Sequence, residues 1–369
     1  MDFYESLGVV KRINAATYYT ALGGSLMSPE VIAAMNDAAK SFISIHDLQL
    51  KAGGKIAQLT KNEGAYITTG AAAGIVLSIL AFRSKGDPRE MQRIIDGTAS
   101  ESEVIIQSGH RIPYDPAVRL AGSKIVTVGD AIQTFEHQLE AAINPNTTAI
   151  LYVAGTHLEN PVLSLENVVR IARCHNVPVV VDAAAQLPPL SNLWHFTRDL
   201  GADLVIFSGG KALCGPQSSG LILGFSGWIE AVRANGAPFQ GLARALKVGK
   251  EEIAGITTAI EMYASRDHKL EWEGWSKIVD FWLTELNTFT KFKIVREENN
   301  EAGQPIPRLA ITFPNHSVLE IIGALQKENP IIEVVHNFQK TIWISPDSLQ
   351  NSEDIKVLDQ LKKILKRYY

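Results

Sequence analysis

Two charged residues carry the chemistry this sequence can do. Lys211 follows the apolar run Leu204-Val-Ile-Phe207 and a Ser208-Gly209-Gly210 turn, and Asp182 closes the earlier run Val177-Pro-Val-Val-Val. A lysine amine so placed can condense with an aldehyde, and an aspartate can keep a pyridine nitrogen protonated. Pyridoxal 5'-phosphate (PLP) chemistry requires both, an attachment amine and a ring held electron-poor. Lys211 could instead be a solvated loop lysine. Its neighbours Phe207, Ser208, Gly209, Gly210, Leu213 and Cys214 are small or apolar, which argues for a partly enclosed amine.

Ligands of open parallel sheets bind beyond the carboxyl ends of the strands. Three further candidates sit at such ends. Thr69-Gly70-Ala71 follows one short run and opens an apolar helix expected over 74–82, where backbone amides make an anion site. His110, in Gln107-Ser-Gly-His110-Arg111, is placed to lay an imidazole on a flat ring; a histidine satisfied within its loop is the plainer alternative. Asp182 could equally cap the turn that follows it. An anion loop, an aromatic-like residue, an acid and then a lysine, all at strand ends, form a constellation that chance explains poorly.

The elements that must position these residues are legible as a rhythm. From about residue 45 to 225, short apolar runs (65–68, 103–107, 124–128, 149–153, 179–181, 204–207 and 220–224) alternate with helical patterns, which predicts an α/β fold with a mostly parallel sheet covered on both faces. Ser28-Pro29-Glu30 gives a capping serine, a first-turn proline and an acid, so a helix should start there. After about 245 the texture turns to long amphipathic helices (251–265, 270–290) and short strands near 308–313, 331–335 and 341–344. The expected division is an N-terminal arm and helix over 1–44, a large cofactor-binding domain over 45–245 and a smaller α+β domain over 246–369.

Composition excludes several classes. The chain has 369 residues, a net charge of -4 and two cysteines, Cys174 and Cys214. That charge offers no general attraction to nucleic acid or an anionic membrane, and two cysteines cannot build a disulfide framework or a Cys-based zinc site. No metal is expected. The start lacks a signal-peptide pattern and no apolar run reaches membrane-span length, so the expectation is a cytoplasmic protein. No strand is followed by Gly-x-Gly-x-x-Gly, which disfavours a dinucleotide enzyme.

The order and the local strings resemble the aspartate aminotransferase-like (PLP fold-type I) enzymes, and within them the SelA-like group that includes selenocysteine synthases and D-glucosaminate-6-phosphate ammonia-lyases. The strings are Ile13-Asn14-Ala-Ala-Thr17 through Ser25, Thr68-Thr-Gly-Ala-Ala-Ala73, Ser108-Gly-His-Arg-Ile-Pro-Tyr114, Val181-Asp-Ala-Ala-Ala-Gln186, Ser208-Gly-Gly-Lys through Gly220, and Leu246 to Glu251. The resemblance implies that Lys211 bonds PLP and Asp182 contacts its pyridine nitrogen. It also implies that Ser208, Thr69, Gly70 and Ala71 hold the phosphate, that His110 stacks on the ring, and that Gln186 lies near the 3-hydroxyl. Arg308 would receive a substrate carboxylate, its alternative being a surface arginine opening a strand. Asn14 and Thr20 would touch substrate from an N-terminal segment crossing the site.

The resemblance further implies a small amino-acid substrate, a homodimer or larger homo-oligomer, and deprotonation at the α-carbon. Loss of a Cβ leaving group then gives a keto acid and ammonia, the favoured lyase route. Reprotonation would make a racemase or epimerase, Cα–Cβ cleavage an aldolase, and absence of turnover a PLP-binding module. Transfer of selenium to a tRNA is disfavoured by the mildly acidic charge, and Cys214 is expected to be a small buried thiol rather than a nucleophile.

Overall fold

The computed structural model describes residues 2–155, 158 and 162–369. They form two compact units, one of residues 25–266 and one of residues 2–24 together with 267–369. The units therefore divide at Arg266/Asp267, whereas the sequence suggests a boundary near 246. The physical reason is the helix Lys250–Ser265, whose residues Ile253, Ile256, Ala259, Ile260 and Tyr263 belong to the core of the large unit. Likewise the helix Pro29–Ala39 stays with the large unit, so the first 44 residues are not one arm. Ser28 caps that helix through Oγ, accepting from the Val31 amide at 3.3 Å, as its Ser-Pro-Glu string predicts.

The first strand, β1 (Arg12–Asn14), lies in the smaller unit. The large unit holds β2 (Gly64–Thr68), β3 (Glu103–Gln107), β4 (Lys124–Val128), β5 (Thr147–Val153), β6 (Val179–Asp182), β7 (Leu204–Ser208) and β8 (Gly220–Gly224). They make one seven-stranded sheet in the order β2-β8-β7-β6-β5-β3-β4, parallel throughout except for β8, which runs antiparallel to both neighbours. This is the aspartate aminotransferase-like α/β fold.

Both sheet faces are covered, and the pleat sends alternate residues to opposite cores. Val179, Val181, Val205, Phe207, Leu221 and Leu223 join the core that takes in the helices Ile45–Leu59, Leu165–Cys174 and Lys250–Ser265. Val180, Leu204, Ile206 and Ile222 join the core formed with Ala71–Ser84 and Ser226–Asn235. Strands buried on two faces read as continuous apolar runs, which is why the sequence marks them so clearly.

The smaller unit pairs β1 with β11 (Ile331–Glu333) in parallel. Its second sheet is antiparallel, in the order β12 (Val335–His336), β13 (Thr341–Ile344), β10 (Arg308–Thr312) and β9 (Lys293–Glu297). The fully buried Trp282, from the helix His268–Leu286, and Phe313 anchor its own core. Among the described residues, no helix is long and apolar enough to cross a membrane.

Candidate active site

The candidate residues of the large unit converge on the carboxyl edge of its sheet. Asp182 is the last residue of β6 and Ser208 the last of β7, and β8 begins at Gly220, paired with both Ser208 and Thr68 at the end of β2. His110 ends a 3-10 turn that directly follows β3. Lys211 stands three residues beyond β7 in a turn closed by the Gly209 amide on the Ser219 carbonyl (2.9 Å), Gly215 on Gly209 (2.8 Å) and Cys214 on Lys211 (2.8 Å). The two glycines before the lysine are required by space: a Cβ on Gly209 would stand 2.1 Å from Ser219 Oγ, and one on Gly210 2.6 Å from Gln217 Cα.

Asp182 is buried, and the desolvation of its carboxylate raises its pKa. Two effects oppose the rise: the Ala184 amide, which donates to Oδ1 at 3.0 Å, and the positive charge of Lys211. Asp182 thus caps the next turn through one oxygen, the plainer of its two sequence readings, and also feels the charge of Lys211. No described residue donates to Oδ2. A protonated pyridine nitrogen is the kind of cationic donor that would stabilise such a carboxylate.

His110 is buried and its Nδ1 accepts the amide of Val153 (3.3 Å), so the neutral ring carries its proton on Nε2. Its ring meets Tyr152 edge-on, with centroids 4.4 Å apart. Gln186 is buried in the turn after Asp182, its amide donating to Ala183 and its carbonyl accepting from Asn192 Nδ2 at 2.7 Å.

The anion loop is built around a left-handed Gly70, with φ of 145°, at the N-terminus of the helix Ala71–Ser84. That helix starts three residues earlier than the sequence suggests, so Ala71 to Ala73 form its first turn. No side chain caps it, and the first-turn amides remain for a ligand at the positive end of a 14-residue helix. Thr69 Oγ1 and Ser208 Oγ make no hydrogen bond with described residues. Sequence reasoning left Gly220 out of the site. A Cβ there would lie 2.7 Å from the Gly70 carbonyl carbon, 2.8 Å from Thr68 Oγ1 and 3.0 Å from the Ala71 amide nitrogen. Its signal was faint, a glycine opening a strand. The donor set, the glycine-lined cradle and the buried acid fit a phosphate-bearing pyridine with an aldehyde for Lys211.

The expected substrate residues lie in the smaller unit. Asn14 spends its side chain locally, Nδ2 donating to the Thr17 carbonyl (2.8 Å) and Oδ1 accepting the Ala16 amide (3.0 Å). Thr20 is exposed in a short 3-10 turn. Arg308 is buried, and its Nε and Nη2 donate to Glu297 Oε2 (3.0 and 2.8 Å) while Nη1 donates to Glu301 Oε2 (3.0 Å). It also lies 5.0 Å from the Trp343 ring centroid. The guanidinium is thus engaged by two carboxylates in this structure, and a substrate carboxylate would have to displace one of them. The cause is the antiparallel register, which sets Glu297 opposite Arg308.

The family model described as L-seryl-tRNA selenium transferase (SelA) matches residues 12–273. The chain belongs to the SelA family. It is 38% identical over 267 residues, 71% of this chain and 70% of the relative, to the D-glucosaminate-6-phosphate ammonia lyase of Salmonella typhimurium. A solved structure of D-glucosaminate-6-phosphate ammonia-lyase matches with a TM-score of 0.84 and 30% identity, covering 100% of this chain and 99% of that one. A structure of SPT with its PLP internal aldimine matches at a TM-score of 0.63 and 13% identity, over 97% of this chain and 88% of that one, a likeness of fold. A further relative, the 5'-C-glycyluridine monooxygenase-decarboxylase of a Streptomyces species, is 36% identical over 269 residues, 71% of this chain and 65% of that protein.

Proposed function

We propose that the chain is a PLP-dependent ammonia-lyase that converts a small hydroxy or sugar amino acid to a keto acid and ammonia. The observation that carries the cofactor is the Asp182–Lys211 pair, a buried carboxylate at the end of β6 in electrostatic contact with a lysine just past β7. The lyase choice is supported by the 38% identical relative that carries that name.

When bound, PLP supplies an electron-poor ring able to take up the electron pair released at an α-carbon. Thr69, Ser208 and the first-turn amides of Ala71–Ser84 would hold its phosphate, and His110 its ring face. Lys211 provides the attachment amine and, once free of the cofactor, a base for the α-proton. Asp182 keeps a proton on the ring nitrogen, and its buried position makes that negative charge count for more than it would in water. Lys211 is also the group that can return a proton, either to the α-carbon or to a departing hydroxyl. A homodimer or larger assembly is part of this reading.

The test is product analysis on D- and L-hydroxy amino acids and on sugar amino acids with and without phosphate. Release of ammonia and a keto acid in equal amounts supports the lyase. Exchange of the α-proton with no net product would replace it with a racemase, and release of an aldehyde with an aldolase. Formation of the Lys211 adduct with no turnover of any substrate would leave a binding module.

A further inference from the structure

The smaller unit grips its N-terminal segment from two sides. On one side β1 pairs with β11, and the Ala15 amide continues that ladder to the Glu333 carbonyl at 3.0 Å. On the other, the segment Ser345-Pro346-Asp347-Ser348, directly after β13, shares three hydrogen bonds with it. The Ser345 amide donates to the Ala15 carbonyl (2.8 Å), the Ser348 hydroxyl to the Asn14 carbonyl (2.6 Å), and the Tyr18 hydroxyl to the backbone carbonyl of Asp347 (2.6 Å). Asn14, which the resemblance places at the substrate, lies in the segment so held.

The side chain of Asp347 is the misfit in this clasp. The residue is half-buried, yet both carboxyl oxygens are shut off from solvent and neither has a hydrogen-bond partner. An ionised carboxylate so placed is strongly disfavoured, whereas the neutral acid leaves no uncompensated charge. Two more acids act on it: Glu301, from the turn between β9 and β10, and Glu271, from the first turn of the helix His268–Leu286. The cations behind them are already engaged. Arg308 Nη1 donates to Glu301 at 3.0 Å, and His268 Nδ1 lies 3.6 Å from Glu271 Oε2. Burial, with the two glutamates adding to it, pushes the Asp347 carboxyl up to about 7.

We propose that Asp347 is a proton-controlled catch on the N-terminal segment: its neutral carboxyl lets residues 345–348 hold residues 14–18, and its ionised carboxylate turns out to water and releases them. All three bonds come from Ser345, Asp347 and Ser348, so moving this backbone to expose the charge works against each of them. The pairing of β1 with β11 uses none of them, and the release is therefore local.

The direction follows from proton linkage. The closed form holds a proton up to about pH 7, whereas the open form loses it near the ordinary value of 3.8. Opening is thus insensitive to pH below about 3.8, rises by about tenfold per pH unit from there to about 7, and levels off above.

The experiment is hydrogen exchange of the full chain by mass spectrometry from pH 5 to pH 8, each rate divided by the intrinsic rate at that pH. Peptides covering residues 14–19 and 343–349 report the catch, and β10 serves as the internal reference. The expected protection of both peptides falls by about tenfold per pH unit up to pH 7 and then levels, with β10 not following. Asp347→Asn should give a flat profile. Glu301→Gln should keep the slope and move the levelling point to lower pH, and Tyr18→Phe should lower protection at every pH with the slope unchanged. A flat profile in the parent, or a fall shared equally by β10, would overturn the proposal. So would the same slope in Asp347→Asn, which keeps His268 and would assign the dependence there. The readout uses neither PLP nor turnover, so failure here leaves the lyase reading intact.

Discussion

Replacing Gly220 by alanine should weaken cofactor binding by pressing on the phosphate loop from behind. The new methyl would stand 2.7 Å from the Gly70 carbonyl carbon, whereas ordinary contact begins at 3.4 Å, so the loop or β8 must give way by about 0.7 Å. The opposing atoms are mainly backbone, and no flexible side chain can absorb the displacement. Overpacking of this kind costs about 1–3 kcal/mol of stability. A shift approaching 1 Å in groups that position a ligand can cost up to about 10²-fold. Titration of the apoprotein with PLP, followed by absorbance, should show an affinity loss of about 10- to 100-fold, while urea unfolding of the apoprotein shows the smaller stability term. Gly54→Ala is the control: nothing lies within 4 Å of its Cβ in the helix Ile45–Leu59, and it should stabilise by about 1 kcal/mol with PLP affinity unchanged. A Gly220→Ala protein that is destabilised yet binds PLP as the parent does would refute the argument that this glycine shapes the cradle.

Other outcomes follow from the same geometry. Asp347 in the smaller unit is a carboxyl whose two oxygens find no hydrogen-bond partner, and burial pushes its pKa up to about 7. Its folded pKa exceeds the unfolded value of 3.8, so its contribution is fully present below that value and is lost as pH rises to about 7. Asp347→Asn should therefore gain on the parent by about 1.4 kcal/mol per pH unit across that window, read from urea midpoints at pH 5 and pH 8; parallel midpoints would contradict it. Lys250 Nζ donates to the carbonyls of Ala38 (2.7 Å), Ala39 (3.2 Å) and Ser41 (2.8 Å) at the end of the helix Pro29–Ala39. Lys250→Met should cost about 1–2 kcal/mol in the same unfolding assay, more at low salt than at high. Asp182→Asn keeps an acceptor for the Ala184 amide but cannot hold a ring proton, so kcat should fall by about 10²- to 10⁴-fold while PLP still binds.

Much of this fold is legible because the sheet is buried on both faces. All seven strands of the large unit were readable as apolar runs, whereas β1 and β9 were not. β1 has three residues, and β9, Lys293-Ile-Val-Arg-Glu297, mixes charge with apolar residues in a half-exposed strand. The unit boundary was misplaced because Lys250–Ser265 has the same amphipathic texture as the helix after it; only tertiary packing reveals which core its isoleucines enter. Lys211 and Asp182 were legible from local strings at strand ends. Gly220 and the glutamates around Arg308 were not, since both depend on which strands lie side by side, and register is set by contacts remote in sequence.

The claim at the centre of this account is that Lys211 bears the cofactor. Borohydride reduction of the purified protein, followed by peptide mapping, tests it directly. The account predicts loss of the visible chromophore and a pyridoxyl group fixed on Lys211, with no label in Lys211→Ala. A label on another lysine, or purified protein that neither contains nor takes up PLP, would contradict it.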